Sequence, residues 1–249
     1  MIIIALVNDI LVSLLNSGDY SYNMSDKYPT EYIADLIGFD DIDEFRKCIT
    51  GEKEPTDKKD VVDQLVKDSH NKCYICENIP SSRGVEHRLP YFGGKDIDRK
   101  FDWNNLFLAC THCNTMKNEK IFDEGIIDCC VTDPEEYLDF VLEGDEVKVA
   151  TIVENSESAL TAKLINKVFN YTNDDSGMSP KDSEFLRQEL QKTMNVLYDS
   201  LLLYLEDVGN ERLKESIMEM LDKRARFAGF TRAYIRRNVD SFQVFNCLI

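Results

Sequence analysis

Two Cys-X-X-Cys pairs constrain the fold of this chain more than any other feature of its sequence. Cys73 and Cys76 form the first pair, in CYIC, and Cys110 and Cys113 form the second, in CTHC. A tight turn lets each pair aim two sulfurs at one point, and four thiolates are a set that tetrahedral zinc takes. We therefore predict a structural Zn²⁺ site, with an additional element folded between the two pairs. His112 could replace one cysteine as a ligand, but we expect it to be exposed.

The remaining cysteines and the N-terminus help to predict the cellular compartment in which the protein resides. The chain has eight cysteines, which in a secreted protein would suggest disulfides. The N-terminal run MIIIALVNDILVSLL lacks a basic start and a small-residue cleavage site, so we interpret it as a buried helix rather than a signal peptide. No other run approaches the roughly 18 apolar residues that a membrane span needs. We expect a cytoplasmic protein with no membrane partner, in which four cysteines are ordinary thiols: Cys48, Cys129, Cys130 and Cys247.

Helical patterns flank the cysteine-rich segment on both sides. Capped helices are predicted at 28–38, 40–51 and 56–70, where proline or threonine marks a start or glycine a stop. We therefore expect an α+β fold that is predominantly helical. A small zinc-bearing finger at 70–125 would be embedded between an N-terminal helical region at 1–69 and a C-terminal helical region at 126–249.

The C-terminal region contains one predicted strand among its helices. Thr132 or Asp133 can cap a helix that continues through Pro134 and ends at Gly144, so we predict a capped helix over 132–144. Residues 146–154, EVKVATIVE, alternate as a strand or hairpin arm does. Three longer helical stretches follow, at 156–170, 182–209 and 210–237, with apolar residues three and four apart.

An acidic residue and a histidine stand side by side between the cysteine pairs. Val85 leads into Glu86 and His87, and a second short strand is predicted at 106–108, directly before the second cysteine pair. The predicted order is knuckle, strand, loop, strand, knuckle and helix. Neutral imidazole is well suited to take a proton from water near pH 7. A hard divalent cation takes oxygen ligands such as carboxylate and amide.

This order resembles that of the HNH endonucleases, the zinc-bearing branch of the ββα-metal (His-Me finger) nucleases. The family pattern is a CxxC pair, an acidic residue before a His, an Asn-Leu pair, and a second CxxC followed by His or Asn and a nearby Lys. The matching residues are Cys73, Cys76, Glu86, His87, Asn105, Leu106, Cys110, Cys113, Asn114 and Lys117. The resemblance implies a ββα-metal finger that hydrolyses phosphodiesters and leaves 5′-phosphate and 3′-hydroxyl ends.

The same resemblance assigns roles to individual residues. His87 would activate water, and Asn105 would orient it by tying down the loop between the strands. Glu86 and Asn114 would hold a catalytic Mg²⁺ or Mn²⁺. Asp is commoner than Glu at the first of these positions, which leaves a water-mediated or electrostatic role for Glu86 as an alternative. Lys117 would contact a phosphate, unless it is an ordinary solvated helix residue.

The charge distribution singles out the C-terminal tail. A net charge of −17 argues against general affinity for nucleic acid, because clustered Lys and Arg drive phosphate binding. The stretch KRARFAGFTRAYIRR is an exception. We predict nucleic-acid contact by Arg88 and by the basic residues of this stretch; the alternatives are a solvated helix face, or docking on an acidic face of this protein or of another. Those residues are Lys223, Arg224, Arg226, Arg232, Arg236 and Arg237.

Together with TAKLINKVFN, the tail is also similar to the C-terminal part of the PtuB-type HNH proteins. This resemblance implies the nuclease subunit of an antiphage defence system such as Septu or certain retrons, paired with an ATPase of the ABC/SMC-like class. An acidic nuclease that holds its substrate poorly would rely on such a partner to deliver it. DNA is the expected substrate. The alternatives are an RNA such as tRNA, or a non-catalytic zinc module that recruits partners.

Overall fold

The computed structural model describes residues 59–92, 96–117, 120–172 and 180–248. The apolar N-terminal run and the helices predicted at 28–38 and 40–51 lie outside the described residues. The helix predicted at 56–70 is described from Lys59 onward, where α1 spans Lys59–Asp68. The described chain is α+β, with helices predominating over two small antiparallel sheets.

The first sheet lies between the two cysteine pairs. Its strands are β1 (Arg83–His87) and β2 (Leu106–Cys110), which contains the strand predicted at 106–108. The connecting segment contains α2 (Ile97–Phe101) and the 3₁₀ helix Trp103–Asn105. α3 (Thr111–Lys117) follows β2 directly. The order of elements therefore agrees with the predicted one.

The register of this sheet places its two ends in different surroundings. Arg83 pairs with Cys110, and His87 pairs with Leu106. The first cysteine turn is joined to the same sheet, since the Tyr74 amide donates to the carbonyl of Leu108 over 3.0 Å. Cysteines thus gather at one end of the sheet, and His87 lies at the other.

The second sheet corrects the helix predicted at 132–144. Only the 3₁₀ helix Pro134–Glu136 forms there, and β3 (Leu138–Glu143) follows it. β3 pairs with β4 (Glu146–Thr151), which confirms the predicted strand, through a turn at Gly144 with a φ of +58°. Burial alternates along β3, with Leu138 and Phe140 in the core. A period of two fits a strand with a partner, and pairing with β4 overrides the local helix signals.

The helix α4 (Ser156–Asn170) packs on β4 and bonds to its backbone. The Asn166 side chain accepts from the Val149 amide over 2.8 Å and donates to the Val149 carbonyl over 2.7 Å. Asn170 makes the same pair of bonds to Val147, over 3.1 and 2.6 Å. The helix is therefore fixed in both position and register along the strand.

Three further helices complete the described chain. α5 (Pro180–Glu206) corresponds to the stretch predicted at 182–209. The stretch predicted at 210–237 forms two helices, α6 (Glu211–Met220) and α7 (Ala228–Arg237), with Phe227 in the left-handed region between them. Two 3₁₀ helices remain to be named: Lys120–Phe122 follows α3, and Gln243–Leu248 follows α7.

One buried cluster joins the cysteine segment to these helices. Phe230 of α7 packs edge-on against Phe140 of β3, with ring centroids 5.3 Å apart, and against Phe169 of α4 at 5.5 Å. Cys73 and Cys113 belong to the same buried cluster. None of the helices in the described part of the chain combines the length and apolar character that a membrane crossing requires.

Candidate metal centre and the residues beside it

The four cysteines of the two pairs converge on one point. Their sulfurs all lie within 4.8 Å of one another. Cys73, Cys76 and Cys113 are at most 1% exposed. Four thiolates at about 2.3 Å from a central Zn²⁺ would lie about 3.8 Å apart, so this donor set fits a tetrahedral zinc ion.

Local structure explains why the sulfurs meet. In the first turn, the Cys73 amide donates to the Asn78 carbonyl and the Glu77 amide donates to the Cys73 carbonyl, both over 2.9 Å. In the second, Cys110 ends β2 and Cys113 lies in the first turn of α3, where its amide donates to the Cys110 sulfur over 3.3 Å. An amide directed at sulfur stabilises the thiolate form that a metal needs.

The thiols of this cluster share their protons unequally. Burial alone would raise the pKa of Cys73, but hydrogen bonds from Cys110, Cys113 and Cys76 hold that pKa well below its usual value. Burial and the hydrogen bonds of its neighbours raise the pKa of Cys113 well above its usual value. Crowded thiols of this kind resist losing all their protons unless a cation compensates the charge, which zinc does.

His112 lies between the second pair of cysteines but is not a member of the cluster. Its Nε2 is 2.8 Å from the Val168 carbonyl and 3.2 Å from the Ser183 hydroxyl. The side chain is half-buried, so the prediction that it is exposed was wrong. It links α3 to α4 and α5.

His87 ends β1 and is oriented by the segment that follows it. Its Nε2 lies 2.9 Å from the Lys100 carbonyl. Because a carbonyl only accepts, Nε2 carries a proton, and Nδ1 is the basic nitrogen of the neutral ring. The ring also packs against Tyr91, with centroids 4.4 Å apart. Neither Tyr91 nor Lys100 was singled out from the sequence, since a backbone acceptor and a packing ring leave no motif.

Asn105 ties together the chain around His87. Its side chain accepts from the Leu89 amide over 2.7 Å and donates to the carbonyls of Leu89 and Arg99, each over 2.9 Å. Its own carbonyl accepts from the Arg88 amide over 3.0 Å. The residue is 4% exposed. These bonds fasten the segment after β1 to α2, whose end supplies the acceptor for His87.

Glu86 is paired with Lys117 rather than facing solvent. The Lys117 ammonium lies 2.8 Å from the Glu86 carboxylate and 2.8 Å from the His87 carbonyl. The two side chains are 12% and 7% exposed. Burial raises the pKa of Glu86, and Lys117 opposes part of that rise. In this arrangement Lys117 faces inward, away from any phosphate outside the protein.

The two side chains predicted to bind the catalytic Mg²⁺ or Mn²⁺ are Glu86 and Asn114, and Glu86 is already engaged in an ion pair. Asn114 lies in α3 one turn before Lys117 and is half-buried. Glu86 and Asn114 offer the oxygen chemistry that Mg²⁺ or Mn²⁺ takes. Among the residues that the structure describes, however, the cysteine cluster is the only group of three or more typical metal ligands, and the Glu86 carboxylate is already neutralised by an ammonium.

The basic tail packs against acidic residues of the same chain. This arrangement corresponds to the alternative in which the tail docks on an acidic face of this protein. Arg232 is buried and donates to Glu135 over 2.8 Å, and Arg236 pairs with the same carboxylate. Arg237 pairs with Asp139. A guanidinium paired with a carboxylate must leave that pair to contact a phosphate. The contacts predicted for Arg232, Arg236 and Arg237 therefore compete with these ion pairs.

The other predicted contacts differ in exposure. Arg226 pairs with Glu189 over 2.9 Å, and Lys223 pairs with Asp133. Arg224 is 70% exposed beside Asp222, at 3.7 Å. Glu135 forms ion pairs with Arg232 and Arg236. Because Glu135 lies in the segment predicted to be a helix, these partners could not be found from the sequence.

Arg88 is also turned toward the protein. Its guanidinium donates to the Ile126 carbonyl over 3.0 Å and lies 3.4 Å from Glu157 and 3.9 Å from Asp128. It therefore fastens the end of β1 to the residues before β3.

Comparison with protein-family models, with curated proteins and with solved structures finds no match to this chain.

Proposed function

We propose that this chain is a metal-dependent endonuclease of the HNH type, with DNA as its substrate and His87 as its general base. The observation that carries the proposal is the orientation of His87 at the end of β1, with Nε2 held by a backbone carbonyl. That arrangement makes Nδ1 the proton acceptor of the neutral ring. The same sheet has a buried four-cysteine cluster at its other end. The strands and the helix follow the order that the HNH resemblance implies.

In the proposed reaction, Nδ1 of His87 takes a proton from a water molecule whose oxygen forms a bond to phosphorus. The bond between phosphorus and the 3′ oxygen breaks, and the departing oxygen takes up a proton from solvent, which gives a 5′-phosphate and a 3′-hydroxyl. A positioned general base contributes about 10²- to 10⁴-fold to such a step. Asn105 acts through His87, because its three side-chain hydrogen bonds set the position of the segments on either side of the imidazole.

Glu86 and Asn114 would hold the divalent cation in this proposal. When bound, such an ion neutralises the negative charge that develops on the phosphate oxygens. For Glu86 to serve as a ligand, Lys117 must give up its 2.8 Å contact with that carboxylate. The ammonium released could then face the phosphate, which is the role predicted for it.

The test is cleavage of plasmid, single-stranded DNA and tRNA with Mg²⁺, Mn²⁺ or a chelator of divalent ions. Wild type is compared with His87→Ala and with His70→Asn, a matched control at an exposed histidine whose φ of 52° asparagine accepts. We expect wild type and His70→Asn to cut DNA with a divalent cation. His87→Ala should lose about 100-fold or more in rate while zinc content and circular dichroism stay unchanged. Equal cleavage by His87→Ala would refute the assigned base.

A non-catalytic zinc module is the second candidate, and the Glu86–Lys117 pair favours it. A carboxylate already neutralised by a lysine is a common structural feature and needs no metal. This candidate predicts no cleavage of any of the three substrates with any divalent cation, even with a co-expressed partner, and no effect of His87→Ala on partner binding. Cleavage of tRNA alone would instead indicate an RNA nuclease.

The charge of the molecule supports a partner that delivers the substrate. The chain carries a net charge of −17, and Arg226, Arg232, Arg236 and Arg237 pair with its own carboxylates. We infer weak binding of nucleic acid by the isolated protein and reliance on an ATPase of the ABC/SMC-like class, as in the antiphage systems that the sequence resembles. Tight, salt-sensitive binding of the isolated protein to plain duplex would contradict this reliance.

A further inference from the structure

Two adjacent cysteines outside the zinc cluster occupy an exposed turn. Cys129 and Cys130 are both exposed and unbridged. Asp128 shapes the turn: its carboxylate accepts from the Cys130 amide over 2.9 Å, and its carbonyl accepts from the Thr132 amide over 2.8 Å. The same two cysteines are among the residues that line a cavity of about 410 Å³. A small solute can therefore approach this turn from the solvent.

The two neighbouring thiols affect each other's ionisation and differ in acidity. The hydrogen bond from Cys129 lowers the pKa of Cys130 to about 7, although burial opposes the shift. The same bond and burial raise the pKa of Cys129 well above its usual value. Cys130 is thus the more readily ionised of the two thiols, and Cys129 is the one that keeps its proton. A solvent-accessible thiolate beside a second thiol is the arrangement found in oxidation-sensing sites.

We propose that Cys129 and Cys130 form a dithiol that hydrogen peroxide oxidises reversibly. The Cys130 thiolate attacks one peroxide oxygen, the O–O bond breaks, and the departing hydroxide takes up a proton to give water and a sulfenic acid on Cys130. The Cys129 sulfur then attacks the Cys130 sulfur, its proton leaves with the sulfenic hydroxyl as a second water, and an S–S bond forms. Two thiols lose two electrons and the peroxide gains them.

Chain geometry makes this product labile. Neighbouring Cα atoms are about 3.8 Å apart, whereas disulfides usually join Cα atoms about 4.4–6.8 Å apart. A bridge between adjacent residues is therefore strained, and strained disulfides are reduced readily. The oxidised form should return to the dithiol with a mild thiol reductant, as a signalling modification does and a structural disulfide does not.

The expected selectivity follows from two opposing effects of acidity. At pH 7 about half of a thiol with a pKa of about 7 is ionised, against about one per cent at the ordinary value of 9.0. This raises the reactive fraction roughly 50-fold. The lower basicity of the thiolate reduces its intrinsic reactivity roughly six- to tenfold. Cys130 should therefore react at least roughly fivefold faster than an ordinary thiol, and faster still relative to Cys129.

The experiment uses the zinc-loaded full chain, with hydrogen peroxide followed by iodoacetamide and tryptic mass spectrometry. Cleavage after Lys120 and Lys148 places both cysteines in one peptide that contains no other cysteine. Without peroxide at pH 7, we expect Cys130 to be alkylated at least roughly fivefold faster than Cys129. With peroxide, the peptide should lose two hydrogens and resist alkylation, and dithiothreitol should restore it while zinc stays bound.

Variants separate the two roles. Cys129→Ser should stop at the sulfenic acid, which dimedone traps on Cys130, whereas Cys130→Ser should leave the peptide unoxidised at the same peroxide dose. Faster alkylation of Cys129 than of Cys130 would overturn the proposal. So would oxidation of the four zinc cysteines before this peptide. The measurements on the wild-type chain require neither variant to fold, and they do not depend on nuclease activity.

Discussion

Replacing Lys117 by methionine should reveal how strongly the buried ion pair stabilises the fold. Lys117→Met keeps much of the side-chain volume but removes the ammonium 2.8 Å from Glu86 and from the His87 carbonyl. Removing one partner of a buried pair leaves an uncompensated buried charge and costs about 3–5 kcal/mol. For a chain of this size, a loss of that order lowers Tm by roughly 6–20 °C.

The size of this loss should depend on pH in a defined direction. The pKa of Glu86 is raised above its ordinary value of 4.5 in the folded protein. The native state therefore keeps a proton that the unfolded chain releases above about pH 4.5, and stability falls as pH rises through the folded pKa. Without Lys117 the pKa of Glu86 rises further. The deficit of the variant relative to wild type should therefore be smaller near pH 5 than near pH 8.

The assay is urea unfolding followed by circular dichroism at fixed zinc concentration, at pH 5 and pH 8. Lys192→Met is the matched control, because Lys192 forms an exposed pair with Glu189 and is itself 70% exposed; its change should stay within about 0.5 kcal/mol. Adding Glu86→Gln to Lys117→Met should recover most of the loss at pH 8. A deficit below about 0.5 kcal/mol at both pH values would show that the pair does not form and that Lys117 faces solvent.

Two further predictions concern the zinc cluster and the asparagine beside His87. Cys113→Ser should lower zinc affinity and unfold the segment at temperatures where wild type is folded, measured by zinc release to a colorimetric chelator and by near-ultraviolet circular dichroism; an unchanged zinc content of one ion per chain would contradict the four-cysteine site. Asn105→Ala removes bonds to Leu89 and Arg99 and should cost about 2–3 kcal/mol in urea unfolding. If His87 is the base, the same variant should lower the cleavage rate at saturating substrate more than it changes the Michaelis constant, and equal changes in both would refute a positioning role.

The cysteine cluster was predictable because its signal is a spacing. Two Cys-X-X-Cys pairs can together supply the four thiolates of one tetrahedral metal site, whatever the rest of the chain does. The strand before the second pair was predictable from a different signal, the apolar run Leu106, Phe107 and Leu108. The relation between Lys117 and Glu86 was not predictable, because side chains 31 positions apart share no local pattern.

The helix predicted at 132–144 failed for a physical reason. A proline after a capping residue, then acidic residues and a closing glycine, favour a helix start and stop locally. Phe140 instead faces Phe230 across the core, and every second side chain of β3 is required on that face. The partner strand and the helix α7 decide the outcome, and neither is visible within the segment itself. The acidic partners of the basic tail could not be predicted for the same reason, because Glu135 and Asp139 lie in the segment that was wrongly predicted to be a helix.

The asparagines of α4 have a consequence for the protein's behaviour at high concentration. A two-stranded sheet has free edges that can recruit strands from other chains. Residues four apart on a helix rise about 6 Å, and residues two apart on a strand about 6.6 Å, so Asn166 and Asn170 meet successive outward-facing peptide groups of β4. Each amide satisfies one N–H and one carbonyl, as a neighbouring strand would. This edge of the hairpin is thereby closed to strand addition and to the aggregation that follows from it.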